Sequence, residues 1–313
     1  EVAPTPIADS ARVPVIYDDD GSPDGTSALL FLLSDPRVDL RAVSVSYGEA
    51  HPQVFIQHLG GLLERYGYGE IPLGAGQDAP LEGNNAFPAF VREGSNGFWG
   101  FEMTGDGQTY PVEDSAELMV RSIMKSDKPV TLFVSGALTN LAEAIRLESG
   151  IKENIAAVYI MGGAIYVPGN LPGLEPETSN TTAEWNIYAD PLAASEVFKA
   201  GLNLYLVPLD ATNQVTLTRK DTAVWRKGGS IPDFAADIFD SQMESWGRDR
   251  IEIWDLVTAE TMMNPQHCAF TPLKLEVEID EGPTEGQTRV IDGEANVNVC
   301  LEPDNAAIMG TLT

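Results

Sequence analysis

VPVIYDDDGSPDG, residues 13–25, sets an apolar run against four carboxylates, Asp18, Asp19, Asp20 and Asp24. Its first five residues are apolar and rich in β-branched side chains, the composition of a buried strand. The residues that follow, Thr26 to Leu33, place leucines at 29, 30, 32 and 33 and read as a helix. The acidic turn therefore ends a strand, at the edge where open α/β sheets build their ligand sites. Carboxylates packed there repel one another, and burying them unpaired costs several kcal/mol per ion. A hard cation such as Ca²⁺ or Mg²⁺, which takes oxygen ligands, removes that cost.

Two other readings fit the same stretch. Asp and Gly are favoured turn formers, so an acidic turn can simply cap a helix. The Asp-x-Asp-Gly ending of IYDDDG also matches a haloacid-dehalogenase-type phosphatase strand, with Asp18 as nucleophile. That family needs a late acidic pair in a Gly-Asp context, and none follows residue 107.

Outward from this stretch the strand–helix unit repeats. Arg41 to Tyr47 reads as the next strand, followed by a helix from about Pro52 to Tyr66 with proline in its first turn. Ile71 to Leu73 is a short strand, and Gln77 to Tyr110 is Gly-rich, aromatic and aperiodic, the length of a functional loop. Asp114 and Glu117 open a helix in the manner of a capping box. Residues 130–135, 155–161 and 202–208 are near-continuous apolar runs of the kind buried on both faces of a parallel sheet. Before the last of them, Asp190-Pro191 caps a helix that Gly201 ends. Residues 216–264 carry a helical signal, and 273–302 a strand-like one with turns at GPTEG and DGEA. The expected fold is α/β, an open, mostly parallel β-sheet flanked by helices, with a C-terminal helical and β-hairpin extension. Residues 1–12 read as a tail and 13–313 as a single domain.

Composition narrows the partners. Against 19 Lys and Arg stand 47 Asp and Glu, a formal net charge of −28. Such a surface repels nucleic acid and anionic membranes and suits small neutral or cationic ligands. No apolar run is long enough to span a bilayer. The opening EVAPTPIADSAR resembles a processed or trimmed N-terminus. Cys268 and Cys300 could pair or stay free, and an extracytoplasmic location, secreted or periplasmic, is favoured. Asn180-Thr181-Thr182 is a glycan acceptor sequon. His51, His58 and His267 lack metal-ligand spacing and read as structural or surface residues. No Gly-x-Ser-x-Gly, P-loop or Gly-x-Gly-x-x-Gly pattern occurs, which removes serine hydrolase, NTPase and dehydrogenase chemistry.

Six motifs in order then give a resemblance: DDDGSPDG (18–25), VTLFVSGALTNLAEA (130–144), MGGA (161–164), AEWNIYADPLAA (183–194), VPLDAT (207–212) and IWDLVTA (253–259). Together they resemble the nucleoside hydrolase family, the inosine/uridine-preferring and purine-specific nucleoside N-ribohydrolases. The resemblance implies Ca²⁺-dependent hydrolysis of the N-glycosidic bond of ribonucleosides, giving ribose and a free nucleobase. It makes Asp20 a Ca²⁺ ligand and the general base, with the Ser135 carbonyl and Asp255 as further ligands and Asp18 as a supporting carboxylate. Asp24, Glu49, Met161, Glu184 and Asn186 fall on ribose-side positions. Trp254 stands where many pyrimidine-active members carry His, as in purine-specific members, so the base preference leans to purines and Trp254 assists the leaving base. Phe98 and Trp99 are candidates to close the other side of the base. Family members are often dimers or tetramers, which leaves a homo-oligomer open.

The sequence departs from the family pattern most sharply at Gly25, while Glu49 stands where the family often has Asn or Asp and, like the extra carboxylate of Asp19, could partly compensate. The family signature ends Asp-Asp, its second Asp usually a metal ligand, and here the position is Gly25. Asp19 adds a carboxylate, but strand alternation directs its side chain away from 18 and 20. A catalytically weak relative that binds a ribosyl ligand is the alternative that this loss raises.

Overall fold

The computed structural model describes residues 12–103 and 108–313. Apart from Arg12, the expected tail lies outside them. The strands are β1 (Val13–Asp19), β2 (Val38–Val45), β3 (Leu73–Ala75), β4 (Val112–Asp114), β5 (Val130–Val134), β6 (Ile155–Met161) and β7 (Leu204–Val207). After them come β8 (Thr216–Thr218), β9 (Arg250–Glu252), β10 (Cys268–Leu273), β11 (Leu275–Val277), β12 (Thr288–Val290) and β13 (Val297–Pro303). Nine form one sheet in the order β10-β13-β7-β6-β5-β1-β2-β3-β4. Every pair in it is parallel except β10 with β13.

This order fixes where a ligand can sit. From β1 the chain builds β2, β3 and β4 on one side, then crosses back to place β5, β6 and β7 on the other. The reversal opens a crevice at the carboxyl ends of β1 and β5, the topological switch point. Asp18 and Asp19 close β1, Asp20 follows it directly, and Ser135 follows β5 in the same way.

The helices are α1 (Pro23–Ser34), α2 (Pro52–Arg65), α3 (Ala89–Asn96), α4 (Ser115–Lys125), α5 (Thr139–Leu147) and α6 (Trp185–Ala189). They continue as α7 (Pro191–Lys199), α8 (Leu209–Thr212), α9 (Arg219–Trp225), α10 (Ser230–Ser245), α11 (Trp254–Met263) and α12 (Asn305–Leu312). They cover both faces of the sheet. Val15 and Tyr17 of β1 face a core shared with α1, α2, α10 and α11, while Ile16 faces one shared with α4, α5 and α7. On α1, Leu29, Leu30, Leu32 and Leu33 are all buried, because the helix packs against β1 and is covered by α10 and α11. Each such leucine contributes about 1.5–3 kcal/mol, so the first turn of α1, with Asp24, is held firmly at the crevice.

Local signals account for most boundaries. Ser22 caps α1, its Oγ accepting from the Gly25 amide at 2.7 Å, and Pro23 pre-sets the first turn. Asp114 caps α4 by accepting the Glu117 amide, and Asp190 caps α7 by accepting the Ala193 amide. Among its described residues the aperiodic 77–110 segment contains a short helix, α3, and a 3-10 turn, Phe98–Gly100, and β3 begins two residues later than the sequence suggests. The C-terminal strands extend the main sheet through β13 and β10, and β11 with β12 makes the hairpin. Cys268 and Cys300 are bonded across β10 and β13, with Cα atoms 5.8 Å apart. Among the described residues no helix is long and apolar enough to cross a membrane.

Candidate active site

The site begins at the end of β1. Gly21 adopts φ +99°, and a Cβ there would lie 2.3 Å from Ala50 Cβ, so only glycine makes this tight exit. The turn folds α1 back over the crevice and brings Asp24 to the first turn of α11. There Asp24 Oδ2 accepts the Asp255 amide at 2.8 Å, and Ser22 Oγ donates to Asp255 Oδ2 at 3.1 Å. Residues 231 and 233 positions apart in sequence thus share one hydrogen-bonded corner.

Asp20 is wedged between glycines. A Cβ at Gly48 would lie 2.3 Å from its Oδ2, and one at Gly136 would lie 2.5 Å from its Cβ. Its Oδ2 accepts the Glu49 amide at 3.1 Å. The Glu49 carboxylate accepts from Ser95 Oγ at 2.7 Å, and Ser95 Oγ in turn accepts from Trp99 Nε1 at 3.2 Å. Asp18 Oδ1 accepts from Ser44 Oγ at 2.5 Å and from Asn140 Nδ2 at 2.8 Å.

Ser135, beyond β5, is tied to Asn186, whose Nδ2 donates to the Ser135 carbonyl at 3.3 Å and the Met161 carbonyl at 3.1 Å. Glu184 caps α6 and spends both carboxylate oxygens on backbone, accepting from Asn186 and Ile187 amides and, at 2.9 Å, from Gly163. Trp254 packs against a small apolar cluster of Met161, Ala164 and Leu209, and its Nε1 donates to Asn213 Oδ1 at 2.9 Å.

Charge is the dominant feature. Asp18, Asp19, Asp20, Asp24, Glu184 and Asp255 are all buried. Burial pushes the Asp18 carboxyl up to about 7, partly offset by hydrogen bonds from Ser44 and Asn140. Burial likewise lifts Asp19 to about 7, Glu49 to about 7 and Asp24 to about 8. Asp20 and Asp255 are raised well above the ordinary range, first by burial and then by neighbouring carboxylates, Glu49 and Asp19 for the former and Asp24, Asp19 and Asp20 for the latter. None of the ion pairs among the described residues includes one of these groups; they lie elsewhere, as at Arg146–Glu196 and Arg226–Asp240.

Such a cluster suits a divalent cation. Asp18 Oδ2, Asp19 Oδ2 and Asp24 Oδ1 are buried and carry no hydrogen bond, each an uncompensated acceptor whose desolvation a cation would offset. Among the described residues no three such side chains already share a ligand-spaced shell. The fit therefore rests on charge, burial and the free oxygens.

The comparisons with known proteins agree with this geometry. Residues 15–310 match the model of the family described as inosine-uridine preferring nucleoside hydrolase. The chain belongs to the nucleoside hydrolase family. It is 29% identical over 280 residues to a protein named probable uridine nucleosidase 2 from Oryza sativa subsp. japonica, covering 88% of this chain and 80% of that one. It is 27% identical to the pyrimidine-specific ribonucleoside hydrolase RihA of Citrobacter koseri, covering 96% of each. A solved purine-preferring ribonucleoside hydrolase from Gardnerella vaginalis has the same fold, with a TM-score of 0.83 at 24% identity over 96% of each chain. This nucleoside hydrolase is accordingly an enzyme that hydrolyses ribonucleosides, small-molecule substrates, at the N-glycosidic bond. The phosphatase reading of IYDDDG falls with it.

In the hydrolase, Asp20, Asp24, Asp255, Glu49, Met161, Glu184, Asn186, Ser135 and Trp254 all gather at the carboxyl ends of the sheet. One expectation is corrected. Asp19 does point away from Asp18, but it does not leave the acidic cluster, because α1 folds the site onto its face as well. Asp19 accepts from Ser135 Oγ at 3.2 Å and its charge acts on Asp20, Asp24, Asp255 and Glu49. Phe98 does not line the base side; it is buried against Phe55 and Phe101. Trp99 meets Trp246, the residue just past α10, edge-on. Asn180 of the sequon is buried, its Nδ2 donating to the Glu285 carbonyl at 2.7 Å. The three histidines are structural, as the sequence suggests: His51 and His58 bond Asn96, and His267 bonds Glu260. Sequence reasoning missed Tyr17, Ser22, Ser44, Ser95, Asn140 and Asn213. Ser22 and Asn140 lie inside quoted motifs but carried no assigned role, the others lie outside them, and their partners are mostly distant in sequence.

Proposed function

We propose that this hydrolase is Ca²⁺-dependent, uses Asp20 as general base and favours purine ribonucleosides. The cation reading is carried by the buried, unpaired carboxylates at the switch point, of which Asp18, Asp19 and Asp24 each keep an oxygen with no hydrogen bond. Asp20, Asp255 and the Ser135 carbonyl would hold the ion with Asp18 in support. When bound, the ion neutralises the carboxylates and makes a nearby water easier to deprotonate. Asp20 has its Oδ2 fixed by the Glu49 amide and its Cβ pinned by Gly48 and Gly136, so its carboxylate is aimed before substrate arrives. That pre-organisation suits a general base.

Asp24, Glu49, Asn186 and Glu184 supply acceptors and donors around the place of the ribose, and Met161 supplies its apolar wall. A site built to bind a hydroxyl rejects the analogue that lacks it, so ribonucleosides should be strongly preferred over deoxyribonucleosides. The purine lean rests on Trp254, whose indole is steadied by Asn213 beside Met161 and offers a broad stacking face. An extracytoplasmic site of action belongs to the same reading, supported by the Cys268–Cys300 disulfide. The test is release of reducing sugar from inosine, adenosine, uridine and 2′-deoxyinosine, with Ca²⁺ and with chelator. Activity that needs Ca²⁺, is lost in Asp20→Asn and is highest on purine ribonucleosides supports the proposal. Full activity in chelator would remove the metal, and a uridine preference would remove the purine lean.

A further inference from the structure

Gly25 and Asp19 compete for the same space. An ideal Cβ built on Gly25 lies 1.9 Å from Asp19 Oδ1 and 2.7 Å from its Cγ. The Asp19 carboxylate therefore occupies the volume into which any side chain at 25 would project. It is fully buried; the side chains that hold it, Ser135 and Tyr17, reach Oδ1, and the backbone of Asp20 and Gly21 also favours its charged form. Ser135 Oγ lies 3.2 Å from Oδ1, as does the Tyr17 hydroxyl, while that hydroxyl also donates to the Gly25 carbonyl at the shorter distance of 2.8 Å. Ser135 and Tyr17 have two hydroxyl protons between them for Oδ1, the Gly25 carbonyl and each other. Oδ2 carries no hydrogen bond.

A buried carboxylate with one oxygen free of hydrogen bonds and, among the described residues, no cationic side chain paired with it is costly unless something positive meets that oxygen. We propose that Asp19 is itself a ligand of the divalent cation, delivered from β1 instead of α1, and that Gly25 is required because it clears the volume the carboxylate fills. This rests on the cation reading above and extends it to the last residue of β1. Tyr17 then becomes a positioning residue, linking the Gly25 carbonyl to the anchored edge of the ligand.

The test is calcium titration by calorimetry on the whole chain, with circular dichroism and melting temperature as folding controls. Asp19→Asn keeps the shape and should weaken Ca²⁺ binding by at least ten-fold. Gly25→Asp alone should lower the melting temperature, because two carboxylates would claim one volume. Asp19→Ala with Gly25→Asp should recover Ca²⁺ binding relative to Asp19→Ala, since position 25 projects into the vacated space. Wild-type affinity in a folded Asp19→Asn protein would overturn the proposal while leaving the cation reading intact. If Asp19→Asn does not fold, a folded double variant that binds no better than Asp19→Ala overturns it. Absence of Ca²⁺ uptake by the wild-type protein would instead overturn the cation reading itself.

Discussion

Gly136→Ala is the sharpest test of how the general base is positioned. The added Cβ would lie 2.5 Å from Asp20 Cβ and 2.6 Å from Ser46 Oγ, whereas ordinary contact begins at 3.4 Å. The overlap with Asp20 is 3.4 − 2.5 = 0.9 Å. Asp20 cannot simply retreat, because its carbonyl accepts the Ala50 amide at 2.8 Å and its Oδ2 the Glu49 amide. Relief has to come from a shift of about 1 Å in the Asp20 carboxylate or the β5 turn, enough to cost about 10²-fold in rate. That corresponds to about 3 kcal/mol of transition-state stabilisation, while overpacking costs about 1–3 kcal/mol of folding stability. The assay is kcat/KM on inosine at saturating Ca²⁺, with a urea melt to show that the variant is folded. Gly173→Ala is the control, since nothing lies within 4 Å of a Cβ there. A folded Gly136→Ala enzyme within two-fold of wild type would refute the idea that close glycine packing aims Asp20.

Three further outcomes follow from the same geometry. Trp254→Ala should lower kcat/KM on inosine by about ten-fold or more, as expected for the loss of a base-stacking side chain worth about 1–3 kcal/mol, and should affect uridine less; equal losses would remove the stacking role. In chelator the protein should lose stability as pH rises from 5 to 8, because folded carboxyls raised to about 7 at Asp18 and about 8 at Asp24 hold protons that the unfolded chain has released. For Asp18 alone the shift from 3.8 sets a ceiling of about 4 kcal/mol; added Ca²⁺ should restore melting temperature more at pH 8 than at pH 5, and a chelated protein that gains stability with pH would contradict the assignment. Asn180→Ala should destabilise the chain by about 1–3 kcal/mol in urea melts, since it strips partners from the Glu285 carbonyl and the Ala183 amide, and intact mass should show no glycan at Asn180 in a glycosylating host.

Much of the fold is legible because its signals are local. The run 155–161 is β6 to the residue, and Asp190-Pro191 caps α7 where the sequence places it. The C-terminal half of the sheet is harder to read. Its strand β13 is recognisable as a strand, but nothing in its composition says that it lies parallel to β7 and carries β10 on its edge. Phe98 could not be separated from a base-contacting aromatic either, because its burial depends on Phe55 of α2.

The amino-acid sequence alone determined the α/β class, the acidic turn after the first strand and the ordered motifs of a nucleoside hydrolase, all properties of neighbouring residues and their spacing. Only the tertiary structure decided that Asp19 stays in the acidic cluster. Side-chain alternation fixes which face of β1 it occupies, but the path of the chain after Gly21 fixes where the site lies. That path lays α1 across the Asp19 face and sets Gly25 directly against the Asp19 carboxylate, where a side chain would collide with it.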